Sequence, residues 1–376
     1  MTNIAILSLL ENFEELEDPR RDRNQRHKLV DIVVLALCGV ISGMKSWVDI
    51  ADYGEAKASW FKELLELPNG IPSHDTFRRV FMLLEPECFQ ACLTNWLETL
   101  RESLEEGVVA IDGKTLRRSF DKSKEKKALH LVSAWSTTAS MVLGQIAVEE
   151  KSNEIVAIPK LLELLRVEGG IFTIDAMGCQ KEIAKNIAEK KGDYVLGLKE
   201  NHPTFLKQVR EFFNSPGNEN YLSSFESVEG DHGRIETRSC YAASSNMIRE
   251  SSGWSELKSI VMLKSKREIR GEVQEETRYY ISSLEGDAEK LSRAIRSHWQ
   301  IENSLHWVLD VNFDEDQCRI RDKVEAENFA ILRRVAVGLL KNEKTEDKRS
   351  LRRKQNLAAL NNNYLLKILR CSDSVQ

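Results

Sequence analysis

Three carboxylates and two imidazoles are the residues of this chain whose types and spacing could do chemistry. Asp112 follows the apolar run at residues 108–111 in VVAIDGK, and Asp175 follows the run at 171–174 in IFTIDAMG. Strand ends in α/β sheets are where ligand sites gather, and an Asp there costs stability unless it meets water, a partner or a metal. Either Asp alone reads as a turn or cap residue; two matching contexts favour a site. Glu302 is the third carboxylate, in HWQIENSLHW. On a helix, positions 298, 302 and 306 fall on nearly one face, which stacks His298, Glu302 and His306 with Trp299 and Trp307 alongside. The alternative is a helix whose tryptophans pack a core and whose polar residues cap it. Two Asp and one Glu offer hard oxygen ligands, suited to Mg²⁺ or Mn²⁺ rather than zinc. Two such ions about 4 Å apart can activate an attacking oxygen and stabilise a leaving one in phosphodiester chemistry. Without metal, clustered carboxylates repel and raise some of their pKa values. The acidic run Asp310, Asp314, Glu315 and Asp316 offers rival ligands.

The elements that must position these residues fall in a definite order. Residues 1 to about 105 read as helical, from apolar residues at helical spacing in LVDIVVLALCGVISG, WVDIADYGEAKASWFKELLEL and CFQACLTNWLETLRESL. Within GIPSHDTFRRVFMLL, Ser73 or Asp75 can cap a short helix with Thr76, Arg78 and Arg79 in its first turns. That helix fits a recognition helix and an ordinary amphipathic one equally. From residue 107 three β-rich runs, a helix, a fourth strand, a helix and a fifth strand follow. The order β-β-β-α-β-α-β suggests a mixed sheet covered by helices. Residues 200 to about 285 interrupt it with a strand at HGRIETRSCYAAS and a hairpin around Gly271, better read as an inserted subdomain than a loop. Helical spacing resumes at EKLSRAIRSHWQIENSLHWVLDV and AENFAILRRVAVGLLK; KNEKTEDKRSLRRKQ reads as a solvated connector before one last helix, NLAALNNNYLLKILR.

The expected division is a helical domain at 1–105, a first core part at 106–205, a β-rich insertion at 206–285, a second core part at 286–345 and a helical tail at 346–376. A length of 376 residues suits two or three domains. Hydrophobic residues at 41% and charged residues at 30% exclude a wholly disordered chain. The longest apolar stretch, residues 29–44, contains Asp31 and falls short of the roughly 20 residues a membrane helix needs. The N-terminus lacks the basic region and cleavage site of a secretion signal. Seven cysteines without a CxxC pair exclude a disulfide framework or zinc site and fit a reducing cytosol; Cys88 and Cys92, one helical turn apart, read as packing. The net charge of −5 is not that of a dedicated nucleic-acid binder. Its distribution says more: residues 114–127 carry seven Lys/Arg against two acids, residues 319–354 twelve against six, and RRDRNQRHK forms a third basic block. Each alone is an ordinary solvated face, but three blocks flanking the acidic motifs point toward a polyanion.

AIDGKTLRRSF, FTIDAMGCQKEIAKNI, YVLGLKENHP, HGRIETR and IRSHWQIENSLHWVLDVNFDEDQCRIR, followed by ENFAILRR, resemble the ISAs-type insertion-sequence transposases, in the branch of the H-repeat-associated proteins. The resemblance covers nearly the whole chain, with several long motifs in the right order. It implies an α/β fold: a ribonuclease H-like mixed-sheet catalytic core with a β-rich insertion, preceded by an all-α N-terminal domain. It places an Asp-Asp-Glu triad on Asp112, Asp175 and Glu302, with 62 residues between the two Asp and 126 between Asp175 and Glu302. These residues would be both catalytic and metal-binding, with Mg²⁺ or Mn²⁺ as cofactor, two ions in all. Implied partners are double-stranded DNA, as the element's terminal inverted repeats and as target, and a second copy of the chain, with no membrane and a cytoplasmic, nucleoid-associated location. The reaction would be cleavage at the element's ends, then attack of the freed 3′-hydroxyl on target DNA. Alternatives are a nuclease with the same core but no strand transfer, and a decayed DNA-binding protein.

One departure stands out. Related transposases often surround the Glu with a Tyr-Arg-Glu-Lys signature that holds phosphates; counted from Glu302, those positions are here Ile295, His298 and Leu309. Candidates for the DNA contacts are Lys114, Arg117 and Arg118 after the first Asp, and Lys199, His298, Arg296, Arg319 and Arg321 in place of the missing clamp. Trp254, Trp299 and Trp307 are candidates to stack on a displaced base, against core packing for each.

Overall fold

The computed structural model describes residues 4–14, 16–21, 25–99, 107–120, 127–148, 154–231, 234–269, 272–344 and 349–370. The first part is helical: α1 (Ile4–Phe13), α2 (Leu29–Ile41), α3 (Trp47–Ala56), α4 (Ala58–Phe61), α5 (His74–Phe81) and α6 (Pro86–Thr99). Helix α2 is apolar on nearly every side because it is buried on nearly every side. Its one acid, Asp31, accepts a hydrogen bond from the Leu67 N–H at 3.0 Å. Helix α3 starts at a capping box, Ser46 with Asp49. In α5, Phe77, Val80 and Phe81 are buried. Trp47 packs on Phe81 at 4.6 Å, and Arg78 reaches Glu325 at 3.5 Å.

Nine strands follow in one sheet: β1 (Val108–Thr115), β2 (His130–Ser136), β3 (Met141–Val148), β4 (Ile171–Ile174), β5 (Asp193–Leu198), β6 (Ser223–Asp231), β7 (Arg234–Ser244), β8 (Ser259–Ile269) and β9 (Glu272–Ser282). Their spatial order is β3-β2-β1-β4-β5-β9-β8-β7-β6. β1, β2 and β3 are antiparallel neighbours, β1, β4 and β5 run parallel, and β6 to β9 form an antiparallel meander joined to β5 through β9. The inserted strands therefore extend the main sheet. Parallel strands need crossovers, here α7 (Glu154–Glu163) and α8 (Lys181–Glu189), and α9 (Pro203–Asn214) leads into the insertion. Leu161, Ile183 and Phe205 of these helices bury one sheet face with Val109, Ile111, Phe172 and Ile174. On the other face α10 (Ala288–His298) packs Leu291, Ala294 and Ile295 against Val195, Val261 and Leu263.

After α10 the helical path widens into a π-turn at Glu302–His306 and continues as α11 (Trp307–Phe313). Helix α12 (Lys323–Asn342) then runs back through the molecule, buried from Phe329 to Leu340. One continuous core joins α1–α3, α5 and α6 to Ile301, Leu305, α11, α12 and the last two helices. Two full charges lie inside it: Arg334 donates to Glu315 at 2.8 Å, with side chains 1% and 0% exposed. Burial alone would raise the Glu315 carboxyl, but Arg334, Arg333 and Lys114 outweigh it and hold the carboxyl below its usual range. Glu327, also on α12, stands near Glu87 and Glu85 and accepts from the Ala147 N–H. Burial first, then those two like charges, pushes its carboxyl up to about 7.

Several sequence expectations need correction. Asp112 does not end its strand: β1 runs on to Thr115, paired only with β2 after Ile111 leaves β4. The basic stretch before the C-terminus is not all connector, since α13 (Leu351–Leu360) starts at a Ser350 cap and buries Lys354 and Gln355. The single last helix is two, broken at extended Asn361 before α14 (Asn362–Arg370). Strand β6 and helix α9 were not expected. Gly271 of the hairpin lies outside the described residues, as do parts of all three basic blocks.

Candidate active site

Sheet register brings the two Asp together. Ala110 pairs with Thr173 and Ile111 with Ile174, so Asp112 and Asp175 come next in line and share the face covered by α10. Beyond Ile174 the two strands part, which opens the sheet where the carboxylates emerge. Two glycines permit this close packing. A Cβ on Gly197 of β5 would stand 3.1 Å from the Ala176 N and 3.4 Å from the Asp175 carbonyl carbon. A Cβ on Gly113 would overlap the buried pair below it, His130 and Glu154. That pair is joined at 2.6 Å, and Thr115 Oγ1 meets the other ring nitrogen at 2.8 Å. It pins β1, β2 and the start of α7 on the face opposite Asp112.

The π-turn supplies the rest. Glu302 is 63% exposed at its side chain, and His306 beneath it is 5% exposed. His306 Nδ1 lies 3.2 Å from Glu302 Oε2 and 3.6 Å from Asp112 Oδ2. One ligand atom each from Asp112, Glu302 and His306 fit within 4.8 Å of one another. Asp175 is outside this group: its Oδ1 accepts from the Met177 N–H at 3.0 Å within its own turn, and its charge is felt at Asp112 and His298. His298 is half-buried and its Nδ1 meets Thr173 Oγ1 at 3.1 Å.

The electrostatics are those of an acidic site short of positive charge. Burial, with a contribution from Asp175, raises the Asp112 carboxyl above its usual range despite His306, His298 and the Gly113 N–H. Burial lowers the His298 imidazole, against the pull of both Asp residues. The His306 hydrogen bond above all, then the charges of His306 and Lys114, holds Glu302 below its usual range against a smaller effect of burial. A hard divalent cation fits this donor set: oxygens converge, one carboxylate resists ionisation, and Asp112 and Asp175 repel. The rival acids are already neutralised. Lys114 Nζ lies 2.7 Å from Asp310 and 3.7 Å from Asp316, Lys45 pairs with Asp314, and Glu315 pairs with Arg334.

The sequence-derived cations lie in several places around these acids. Lys114, 10% exposed, ties β1 to α11 through Asp310 and to the segment after it through Asp316. Arg117 is 80% exposed and lies 3.2 Å from Asp316. Arg118, Arg319 and Arg321, drawn from two separate basic blocks, line one open depression of about 390 Å³ with Phe120. Lys199 and His298 line a second cavity of about 290 Å³ with Asp175, Arg210, Arg278 and Trp299. Arg296 pairs with Glu229 at 2.7 Å. Trp254 is a core residue, 7% exposed and packed on His202 and Phe205. Trp299 and Trp307 are exposed, and Arg278 stacks over Trp299 at 4.2 Å.

Sequence reasoning missed an arginine cluster on the inserted strands. Arg234, Arg238, Arg267 and Arg278 join Arg296 of α10, already a candidate from the sequence, in lining a depression of about 280 Å³ that reaches Trp299 and Asn303, beside Glu302. Glu236 lies among them, hydrogen-bonded by Arg234 and paired with Arg238 at 2.8 Å and Arg267 at 3.5 Å. The signal was the strand alternation Arg234-Ile235-Glu236-Thr237-Arg238, which puts three charges on one face.

Comparisons with known proteins agree with one another. Residues 103–339 match the family described as Transposase DDE domain, and residues 10–97 match DDE_Tnp_1-associated. The H repeat-associated putative transposase YhhI of Escherichia coli (strain K12) is 42% identical over 97% of this chain and 98% of its own length. The putative transposase YncI of Escherichia coli O157:H7 is 41% identical over 98% of this chain and 96% of its own. Among solved structures, a piggyBac transposase synaptic complex with hairpin DNA covers 96% of this chain and 77% of that one, with TM-score 0.40 and 11% identity. At that level neither fold detail nor function transfers.

Proposed function

From the premise that this chain belongs to the transposase DDE-domain family and is an insertion-sequence transposase, an enzyme acting on DNA, we propose that Asp112, Asp175 and Glu302 are its catalytic triad. The observation that carries this is the convergence of Asp112, Glu302 and His306 within 4.8 Å, with Asp175 just past the end of the adjacent strand β4. The strand order β3-β2-β1-β4-β5, antiparallel then parallel, supports a ribonuclease H-like core that the strands 206–285 extend, with the helices of 1–105 before it.

Asp112 would be shared between Asp175 on one side and Glu302 on the other, an arrangement that suits two divalent ions, Mg²⁺ or Mn²⁺. Once bound, such ions supply Lewis-acid charge at the scissile phosphodiester for end cleavage and for attack by the freed 3′-hydroxyl. The chain's own groups do the rest. Before an ion binds, Glu302 stays ionised because His306 Nδ1 hydrogen-bonds it. Asp112 must release a proton it holds more tightly than usual, so metal affinity rises with pH. Lys114 takes up Asp310 and Asp316, which keeps those acids from competing for the metal.

Two arginine surfaces flank the acids and are read here as tracks for DNA phosphates: Arg118, Arg319 and Arg321 on one side, the inserted-strand cluster with Arg296 on the other. Arginine forks suit phosphate oxygens, the task of the Arg-Lys clamp that this chain lacks. Arg117, Lys199 and His298 complete the contacts near the acids. The substrates would be the element's terminal inverted repeats and a target duplex. An element has two ends, so a homodimer on DNA is the working assembly, and the nucleoid is where it would act. No described helix is long and apolar enough to cross a membrane.

The test is Mg²⁺-dependent cleavage and joining of DNA carrying the segments that flank the gene, with Asp175→Asn beside wild type. End-specific cuts and joined products from wild type alone are expected. Random cuts without joining would mean a nuclease, and binding without cleavage by either protein would remove the catalytic assignment.

A further inference from the structure

Resting on the reading of Asp112 and Glu302 as metal-binding carboxylates, we propose that His306 is itself a ligand of the ion held between them, making this a mixed nitrogen–oxygen site. The sequence suggested oxygen ligands alone, and His306 stood only as a neighbour on the helix face. In the structure it does more than neighbour them. Its ring is 4% exposed, and Nδ1 is the nitrogen that faces both acids, at 3.2 and 3.6 Å. The other nitrogen, Nε2, is buried with no hydrogen-bond partner among the described residues. Every polar contact that offsets burial of this ring is therefore made at Nδ1.

The spacing fits coordination. Ligand atoms about 2.1–2.2 Å from one ion and at right angles to one another stand about 3 Å apart. The two separations at Nδ1 are of that size. The local backbone serves the same end: Glu302 and His306 are the first and last residues of the π-turn, a feature found mostly at functional sites. The wide turn brings the two side chains to one point, with Leu305 fully buried to fix its pose. His298 differs, because its Nδ1 is already engaged by Thr173.

A nitrogen ligand has a chemical consequence. Imidazole binds divalent transition ions, Mn²⁺ included, better than it binds Mg²⁺, whereas an all-carboxylate site discriminates less. The site should favour Mn²⁺ over Mg²⁺ more than three carboxylates would, and that excess should reside in His306.

Electron spin echo spectroscopy of Mn²⁺ bound to the full-length protein reads the ligand directly. Wild type should show ¹⁴N coupling that changes when the protein carries [¹⁵N]histidine and disappears in His306→Gln. Calorimetry should show Mn²⁺ affinity falling by about 10- to 100-fold in that variant, and Mg²⁺ affinity falling less. Absence of nitrogen coupling in wild type overturns the proposal without needing any variant to fold. Coupling that survives in His306→Gln but is lost in His298→Gln also overturns it and moves the ligand to His298. Asp112→Asn separates the two levels: Mn²⁺ binding that ignores this substitution, or no Mn²⁺ binding at all, sinks the carboxylate site along with the proposal. Asp112-dependent binding without nitrogen coupling sinks the His306 assignment alone.

Discussion

Replacing Glu327 by Gln should stabilise this protein at neutral and alkaline pH and do nothing at pH 4. Glu327 lies on α12 where that helix meets β3 and the start of α6, and its carboxyl is pushed up to about 7 by burial, then by Glu87 and Glu85. A group whose pKa is raised in the folded state contributes stability that is complete below its unfolded value and lost as pH rises through its folded one. The loss therefore develops between about pH 4.5 and pH 7 and levels off above. Going from 4.5 to about 7 is worth about 3 kcal/mol at 1.36 kcal/mol per pH unit, an upper limit because Glu327 is not fully enclosed. Gln keeps an acceptor for the Ala147 N–H and cannot ionise, so it removes the charge cost alone. At about 2.1 cal/mol/K per residue, 376 residues melt with an entropy of about 0.8 kcal/mol/K, so the gain is at most about 4 °C. Thermal denaturation of both proteins from pH 4 to pH 8.5 in EDTA measures it. Equal melting temperatures at pH 8.5, or a difference that does not shrink toward pH 4, would refute the reasoning.

Three further outcomes are expected. Arg334→Met strands Glu315 in the core and should cost about 3–5 kcal/mol, while Arg334→Met with Glu315→Leu should recover most of it; a double variant as unstable as the summed singles in urea titrations would show that the pair is not coupled. Asp112→Asn should melt above wild type in EDTA at pH 7.5, because burial raises the Asp112 carboxyl and its ionised form is disfavoured; that advantage should vanish below about pH 4, near the unfolded value. Mn²⁺ at 100 times its Kd should reverse the order by adding about 2.7 kcal/mol to wild type alone, readable by the same melts. Arg234→Ala with Arg267→Ala should reduce the salt dependence of DNA binding by about two phosphate contacts without changing sequence preference, whereas an unchanged slope in filter binding from 50 to 200 mM salt would mean DNA does not run there.

Much of the core was legible because its signals are local. The apolar runs before Asp112 and Asp175 are strands, and the crossover helices between the later strands follow from hydrophobic spacing. Register was not legible: nothing in VVAIDGK says that β1 outlasts its pairing with β4, yet that mismatch opens the site. The ion-pair partners of Lys114 were not legible for a similar reason. Next to Asp112 it reads as a phosphate contact, but its partners, Asp310 and Asp316, are nearly two hundred residues away in sequence. The π-turn also escaped, since ENSLH has ordinary helical spacing. Strand β6 was missed because Phe225 and Val228 do not alternate cleanly, and its pairing comes wholly from β7.

The placement of α12 bears on how the chain is made. Asp112 and Asp175 leave the ribosome 190 and 127 residues ahead of Glu302, and α12, on which the helical core closes, follows later still. At about 5–20 residues per second, some 6–25 s separate the second carboxylate from the third. During that interval the nascent chain holds two acids and no third. Helices α2 and α6 must meanwhile wait for α12 with apolar faces uncovered, which makes this a chain of distant contacts and slow closure. On the catalytic assignment made above, a polypeptide interrupted before Glu302 cannot cut DNA. The order of translation thus keeps every copy that stops short of that residue inert.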